Sequence, residues 1–248
     1  MPQTKMLRTP FARVGNKTKI LKDILQVIPT HKKYIEAFVG SGAVFFAKEK
    51  VDKSVINDLD ENIYNLFNLL PNISSNKEDY NFIKGVKEIQ EYVNQDYERI
   101  EDQFYKRLLI MCNTFCCLGK GKIYKEASQH TKFNHIKKYQ EKLQNTKILN
   151  KDYKKVIEEE DEEDAFIFLD PPYENSKQLY KNDTMDFVEM ASILKNVKGK
   201  FLLTINDSDN IKDTFKGFYI KEIEVKAYGN SALGNLNRKE LFITNYII

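Results

Sequence analysis

The sequence predicts an α/β protein built on a mostly parallel sheet, with an antiparallel strand pair at its C-terminal end and a helical insertion. Three observations predict it. Short apolar runs alternate with segments long enough for a helix, the pattern expected of strands covered on both faces. Between Pro71 and about Gln144 that rhythm stops, and a polar stretch with helical spacing intervenes. At the end, the strand-like runs 219–228 and 241–248 follow one another with no helix pattern between them, as an antiparallel pair closing a sheet edge would.

Each element follows in order. The polar turn Gly15-Asn16-Lys17 leads into a helix over 18–27. Residues 34–38 (YIEAF) form the first strand, the tight turn Gly40-Ser41-Gly42 follows, and a helix runs through 43–50. The second strand is 54–57 (SVIN), and the helix over 61–70 carries Ile63, Leu66, Phe67 and Leu70 on one face. Within the insertion, Phe104, Leu108, Leu109 and Met111 recur at helical spacings. Strands resume at 147–149, 166–169 and 201–205. The chain thus divides into a sheet domain, 1–70 with 145–248, and an inserted, mainly helical domain at 71–144.

Composition narrows the class. Hydrophobic residues at 42% and charged residues at 30% exclude a disordered chain. No apolar run reaches the roughly 20 residues of a membrane span, and residues 1–6 carry no apolar leader, so a cytoplasmic protein is expected. The net charge of +3 does not by itself name a partner. Its distribution is more telling: an acidic run at 158–164 offsets a middle rich in lysine, with Lys120, Lys122, Lys125, Lys132, Lys137 and Lys138. Such a basic surface suits phosphate, although both stretches also read as ordinary solvated faces. Cys112, Cys116 and Cys117 lie close together with His130 and His135 downstream. No paired C-x-x-C is present, so buried, reduced thiols are expected rather than a zinc site, and no metal.

Four features carry chemistry. Gly40-Ser41-Gly42 follows a strand and opens a helix, where glycines allow a sharp turn and close approach to a ligand; geometry alone also explains it. Asp58, after the second strand, can accept hydrogen bonds from a ribose diol or can cap the next helix; Asp60 is able to take the cap instead. Asp170-Pro171-Pro172-Tyr173 follows an apolar strand. Two prolines forbid helix and remove two backbone donors, so the loop offers carbonyl oxygens and a carboxylate, which suits an amino group. A purely structural Pro-Pro turn is the alternative. Gly15-Asn16-Lys17 is, taken alone, a polar turn.

Together these residues resemble the Dam-type adenine-specific DNA methyltransferases, of the DPPY, alpha-order kind, over essentially the whole chain. The order is residues 10–17 (PFARVGNK), 38–42 (FVGSG), Asn57-Asp58, an insertion, Asp170-Pro171-Pro172-Tyr173, and E-x-x-I-x-N-Y at 240–246. The resemblance implies a Rossmann-like class I methyltransferase fold with S-adenosylmethionine as cofactor. It implies cofactor contacts from Arg13, Gly15, Lys17, Phe38, Gly40, Gly42, Asp58, Asp152 and Asp170, although an aromatic residue is common where Arg13 stands. It implies catalysis by Asp170, Pro171, Pro172 and Tyr173, with the carboxylate and the Pro171 carbonyl accepting from adenine's amino group and Tyr173 stacking on the flipped base. DNA contacts are expected from Asn113, Lys120, Lys122, Tyr124 and Lys125. Tyr180, Phe187 and Tyr228 either line the site or pack its loops. The insertion lacks the family's frequent N-x-P-x-G-R ending, so GATC recognition is not implied. Double-stranded DNA is the expected partner of a monomer. The same loop chemistry would serve cytosine, RNA or a glutamine side chain, and a catalytically silent nucleic-acid-binding protein is the reading from another class.

Overall fold

The structure, a computed structural model, describes residues 6–11, 13, 15–114, 119, 122–123, 134–173, 185–225 and 238–248. A 3₁₀ turn at Lys17–Lys19 precedes α1 (Leu21–Val27). Then come β1 (Lys33–Glu36), α2 (Ala43–Ala47), β2 (Lys53–Asn57), α3 (Glu61–Leu69), α4 (Val86–Val93), α5 (Ile100–Asn113) and α6 (Ile136–Leu143). The second half holds β3 (Thr146–Leu149), α7 (Tyr153–Glu160), β4 (Ala165–Leu169), α8 (Phe187–Leu194), β5 (Lys200–Asn206), α9 (Asp209–Thr214), β6 (Tyr219–Val225) and β7 (Arg238–Thr244).

The chain divides into two compact units. One comprises Thr18–Phe38, Val51–Asn57 and Lys151–Ile248. It contains six strands of a seven-stranded sheet, in the order β2-β1-β4-β5-β7-β6. The first four are parallel, and β7 pairs antiparallel with both β5 and β6, so the α/β class and the antiparallel C-terminal pair are as expected. All five residues of β4 are buried, as in a central strand covered on both faces. Burial of side chains such as Phe166, Ile167, Phe168 and Leu169 contributes on the order of 1.5–3 kcal/mol each.

Strand β7 stops at Thr244, short of the expected 248, for a local reason. The Asn245 side chain takes over the ladder, its Oδ1 accepting from Phe201 N at 3.0 Å and its Nδ2 donating to Gly199 O at 2.9 Å. Asn57, at the end of β2, is buried and performs a similar tie. Its Nδ2 donates to Ala37 O and Lys151 O, and its Oδ1 accepts from Lys151 N, each at 2.9 Å. The ends of β1 and β2 and the entrance to α7 are thereby held together.

The other unit comprises Met1–Lys17, Val39–Lys50 and Asp58–Asn150, and includes β3 and helices α2 to α6. Its core is aromatic. The Phe46 ring lies 5.1 Å from Phe45, 5.9 Å from Phe67 and 5.1 Å from Tyr139, and Phe11 packs on Phe67 at 5.6 Å. Gln140 of α6 donates to Ile73 O at 2.8 Å and Leu70 O at 3.1 Å, which fixes the chain leaving α3. The expected helix over 43–50 is shorter, since Lys48 turns to extended backbone after Ala47.

Candidate functional site

In the sheet unit, Glu36↔Phe168 closes the parallel register of β1 with β4, and Ala37 N still donates to Phe168 O at 3.2 Å. Phe38 and Asp170 therefore leave the sheet at the same end, each two residues past that pair. From β1 the chain moves outward to β2, and from β4 it moves the other way to β5. This reversal of strand order, at the carboxyl ends of the strands, is where open α/β sheets bind ligands.

The loop after β4 sits there. Asp170 is half-buried, Pro171 buried, and Pro172 and Tyr173 half-buried. Asp170 Oδ1 lies 3.3 Å from Thr204 Oγ1, which is also 3.3 Å from Leu169 O. Burial first, then the Asp170 and Glu240 carboxylates, push the Tyr173 phenol well above its ordinary pKa, so it stays protonated and cannot serve as a base at neutral pH. Phe38 packs its ring 5.3 Å from that of Tyr153, the residue after Asp152. Asp152 is the N-cap of α7, its Oδ1 accepting from Lys154 N at 2.9 Å.

In the other unit, the remaining expected cofactor residues gather around Asp58. Gly40 N donates to Asp58 Oδ2 at 2.8 Å, and Asp60 N to Oδ1 at 2.9 Å. The cap of α3 belongs to Asp60, which accepts from Asn62 N, so capping does not account for Asp58. Burial raises the Asp58 carboxyl above its usual range, and the Arg13 guanidinium opposes that shift. Arg13 Nη1 is 3.0 Å from Asp60 Oδ2, and Asn150 Nδ2 donates to the carbonyls of Asp58 and Leu59. Lys17 is buried, with its Nζ 3.3 Å from Gly15 O.

The glycines differ in what surrounds them. Gly42, at φ +74°, faces Phe46: a Cβ there would meet two ring carbons at 2.9 Å. At Gly40, φ +50°, a Cβ would meet only Arg13 Cδ at 3.9 Å, and at Gly15 nothing within 4 Å. Gly42 thus serves packing, while Gly15 and Gly40 present open backbone that a ligand can approach.

Of the residues expected at DNA, Asn113 is fully buried on α5 and its side chain donates to Leu109 O at 2.7 Å. Lys122 is exposed. Lys120, Tyr124, Lys125, Tyr180, Tyr228, Cys116, Cys117 and His130 lie outside the described residues. Phe187 and Cys112 are buried. Among the described residues no helix is long and apolar enough to cross a membrane, and no cluster of three or more His, Cys, Asp or Glu could hold a metal. Sequence reasoning missed Thr204, Asn57 and the Arg13–Asp60 pair. A threonine within the apolar run 201–205 was the available signal, since a buried hydroxyl needs a partner.

The chain is similar to several known proteins. The chain is 25% identical over 258 residues to Type II methyltransferase M.CviBI of Paramecium bursaria Chlorella virus NC1A, covering 94% of this chain and 97% of the relative. It is 25% identical over 287 residues to Type II methyltransferase M.MjaIII of Methanocaldococcus jannaschii, covering 96% and 99%. To a DNA adenine methylase of Vibrio cholerae it is 23% identical over 175 residues, covering 64% of this chain and 62% of that one. The family model described as D12 class N6 adenine-specific DNA methyltransferase matches residues 14–111 and 118–227. With most of its length matched, the chain belongs to the D12 class N6 adenine-specific DNA methyltransferases.

Proposed function

We propose that the protein methylates the 6-amino nitrogen of an adenine flipped out of double-stranded DNA, with S-adenosylmethionine as methyl donor. The observation that carries this reading is Asp170-Pro171-Pro172-Tyr173 at the carboxyl end of β4, where the strand order reverses. The donor supplies an electrophilic methyl group on sulfur. Open backbone at Gly15 and Gly40 and the half-buried acceptor Asp58 suit a nucleoside-like ligand with a ribose diol. Lys17, Arg13 and Gly42 of the same unit complete the set that would hold it, Gly42 through the shape of the turn.

Adenine's amino nitrogen is a poor nucleophile, because its lone pair is delocalised into the ring. The Asp170 carboxylate and the Pro171 carbonyl accept its two N–H groups, which favours a pyramidal nitrogen and stabilises positive charge as the methyl arrives. Prolines at 171 and 172 present no competing backbone donor. Tyr173, neutral throughout, offers a ring face to the base after flipping, a step that costs a few kcal/mol. Residues 1–70 and 145–248 act as the catalytic domain and 71–144 as the recognition domain. Lys122, with Lys120, Tyr124 and Lys125, contacts phosphate, and the enzyme works as a monomer.

Long-read mapping of DNA from cells expressing the protein tests this. Methylation at adenine N6 within one sequence context is expected, and it disappears in Asp170→Ala. Marks on cytosine, or undiminished adenine marks with Asp170→Ala, would falsify the assignment.

A further inference from the structure

Strand β5 lies between β4 and β7, with Leu203 in register with Leu169 and Thr204 with Phe242. Thr204 is completely buried among Phe201, Leu202, Leu203 and Ile205. Packing alone would be met by valine, which has the same branched shape and no polar atom to desolvate. Burying a hydroxyl costs free energy unless it is hydrogen-bonded. The Thr204 hydroxyl reaches two acceptors, Leu169 O and Asp170 Oδ1, both at 3.3 Å. These belong to consecutive residues, so the single hydroxyl proton is shared between the last peptide of β4 and the first side chain of the loop.

We propose that Thr204 is a positioning residue for methyl transfer: its hydroxyl fixes the plane of the Asp170 carboxylate relative to β4. This rests on the function proposed above. The Asp170 carboxylate stands at the start of the loop after β4. A hydroxyl anchored in a buried central strand is a rigid reference for it. The Asp170 oxygens must meet an N–H direction defined by the base, and misplacement by about 1 Å is enough to cost on the order of 100-fold in rate. Thr204 acts through Asp170, so its loss is expected in kcat.

The test compares wild type, Thr204→Val, Thr204→Ser and Asp170→Ala as full chains on unmethylated plasmid DNA with labelled S-adenosylmethionine. Thr204→Val is expected to lower kcat about 10-fold, with KM for DNA and the Kd for S-adenosylhomocysteine unchanged. Thr204→Ser, which keeps the hydroxyl, is expected to recover most of that loss. A Val variant at the wild-type rate, with Asp170→Ala inactive, overturns the positioning role and leaves the parent reading standing. A Ser variant as slow as Val assigns the effect to packing and also overturns it, whatever the Val variant does to folding. A wild-type chain that transfers no methyl group to DNA takes both readings with it.

Discussion

Gly40 and Gly42 stand two residues apart in one turn, and alanine at each has a different physical consequence. At Gly42 the backbone is left-handed, φ +74°, which costs an L-residue about 1–2 kcal/mol. The added methyl also meets Phe46 ring carbons at 2.9 Å and Phe67 Cζ at 3.4 Å. Phe46 is held by Phe45, Phe67 and Tyr139 and has nowhere to move, so overpacking adds about 1–3 kcal/mol. Gly42→Ala should therefore destabilise by about 2–5 kcal/mol. At roughly 2–4 °C per kcal/mol for a chain of this size, Tm falls by at least about 4 °C. Gly40→Ala meets only ordinary contact with Arg13 at 3.9 Å, so its cost is the backbone term alone, about 1–2 kcal/mol. Its larger effect falls on cofactor affinity, because the methyl occupies the open face. Urea unfolding and calorimetric titration with S-adenosylhomocysteine separate the two. Equal stabilities for the two variants, or wild-type affinity in Gly40→Ala, would refute the division between a packing glycine and a ligand-facing one.

Three further outcomes are expected. Asn57→Ala removes three hydrogen bonds at about 0.5–1.5 kcal/mol each, so denaturant unfolding should show a loss of about 2–4 kcal/mol; a loss below about 1 kcal/mol contradicts the tie between β1, β2 and α7. Because burial raises the Asp58 carboxyl above the ordinary aspartate range, its contribution to stability is present below that range and is lost as pH rises through the raised value. Ribose binding needs the ionised form, so S-adenosylhomocysteine affinity should fall on acidification, and at higher pH in Arg13→Gln; superimposed titration curves for wild type and variant count against Arg13 as the opposing charge. Lys122→Ala should lower the salt slope of DNA binding by about 0.9, and an unaltered slope makes Lys122 an ordinary solvated side chain.

The sheet was legible because its signal is local. A strand buried on both faces must be continuously apolar, and 166–169 and 201–205 fall inside the observed β4 and β5. The loop after β4 was legible for a related reason: two prolines exclude helix and strand alike, so the chemistry at Asp170 stood out without coordinates. The ends of elements were less legible. Strand β7 yields to the Asn245 side chain, and nothing in an apolar run announces where its backbone leaves the ladder.

By itself the sequence determined the alternation of strands and helices, the antiparallel closure, and an acceptor-rich loop at a strand end. These depend on side-chain period and backbone restriction, which act over a few residues. Only the tertiary structure decided that Asp60 and not Asp58 caps α3, that Gly42 packs while Gly40 stays open, that Asn113 is interior, and that Thr204 reaches Asp170. Threonine on β5 and aspartate after β4 are separated by 34 residues in sequence and by 3.3 Å in space. Which side chains meet across neighbouring strands depends on register and strand order, and local periodicity carries neither.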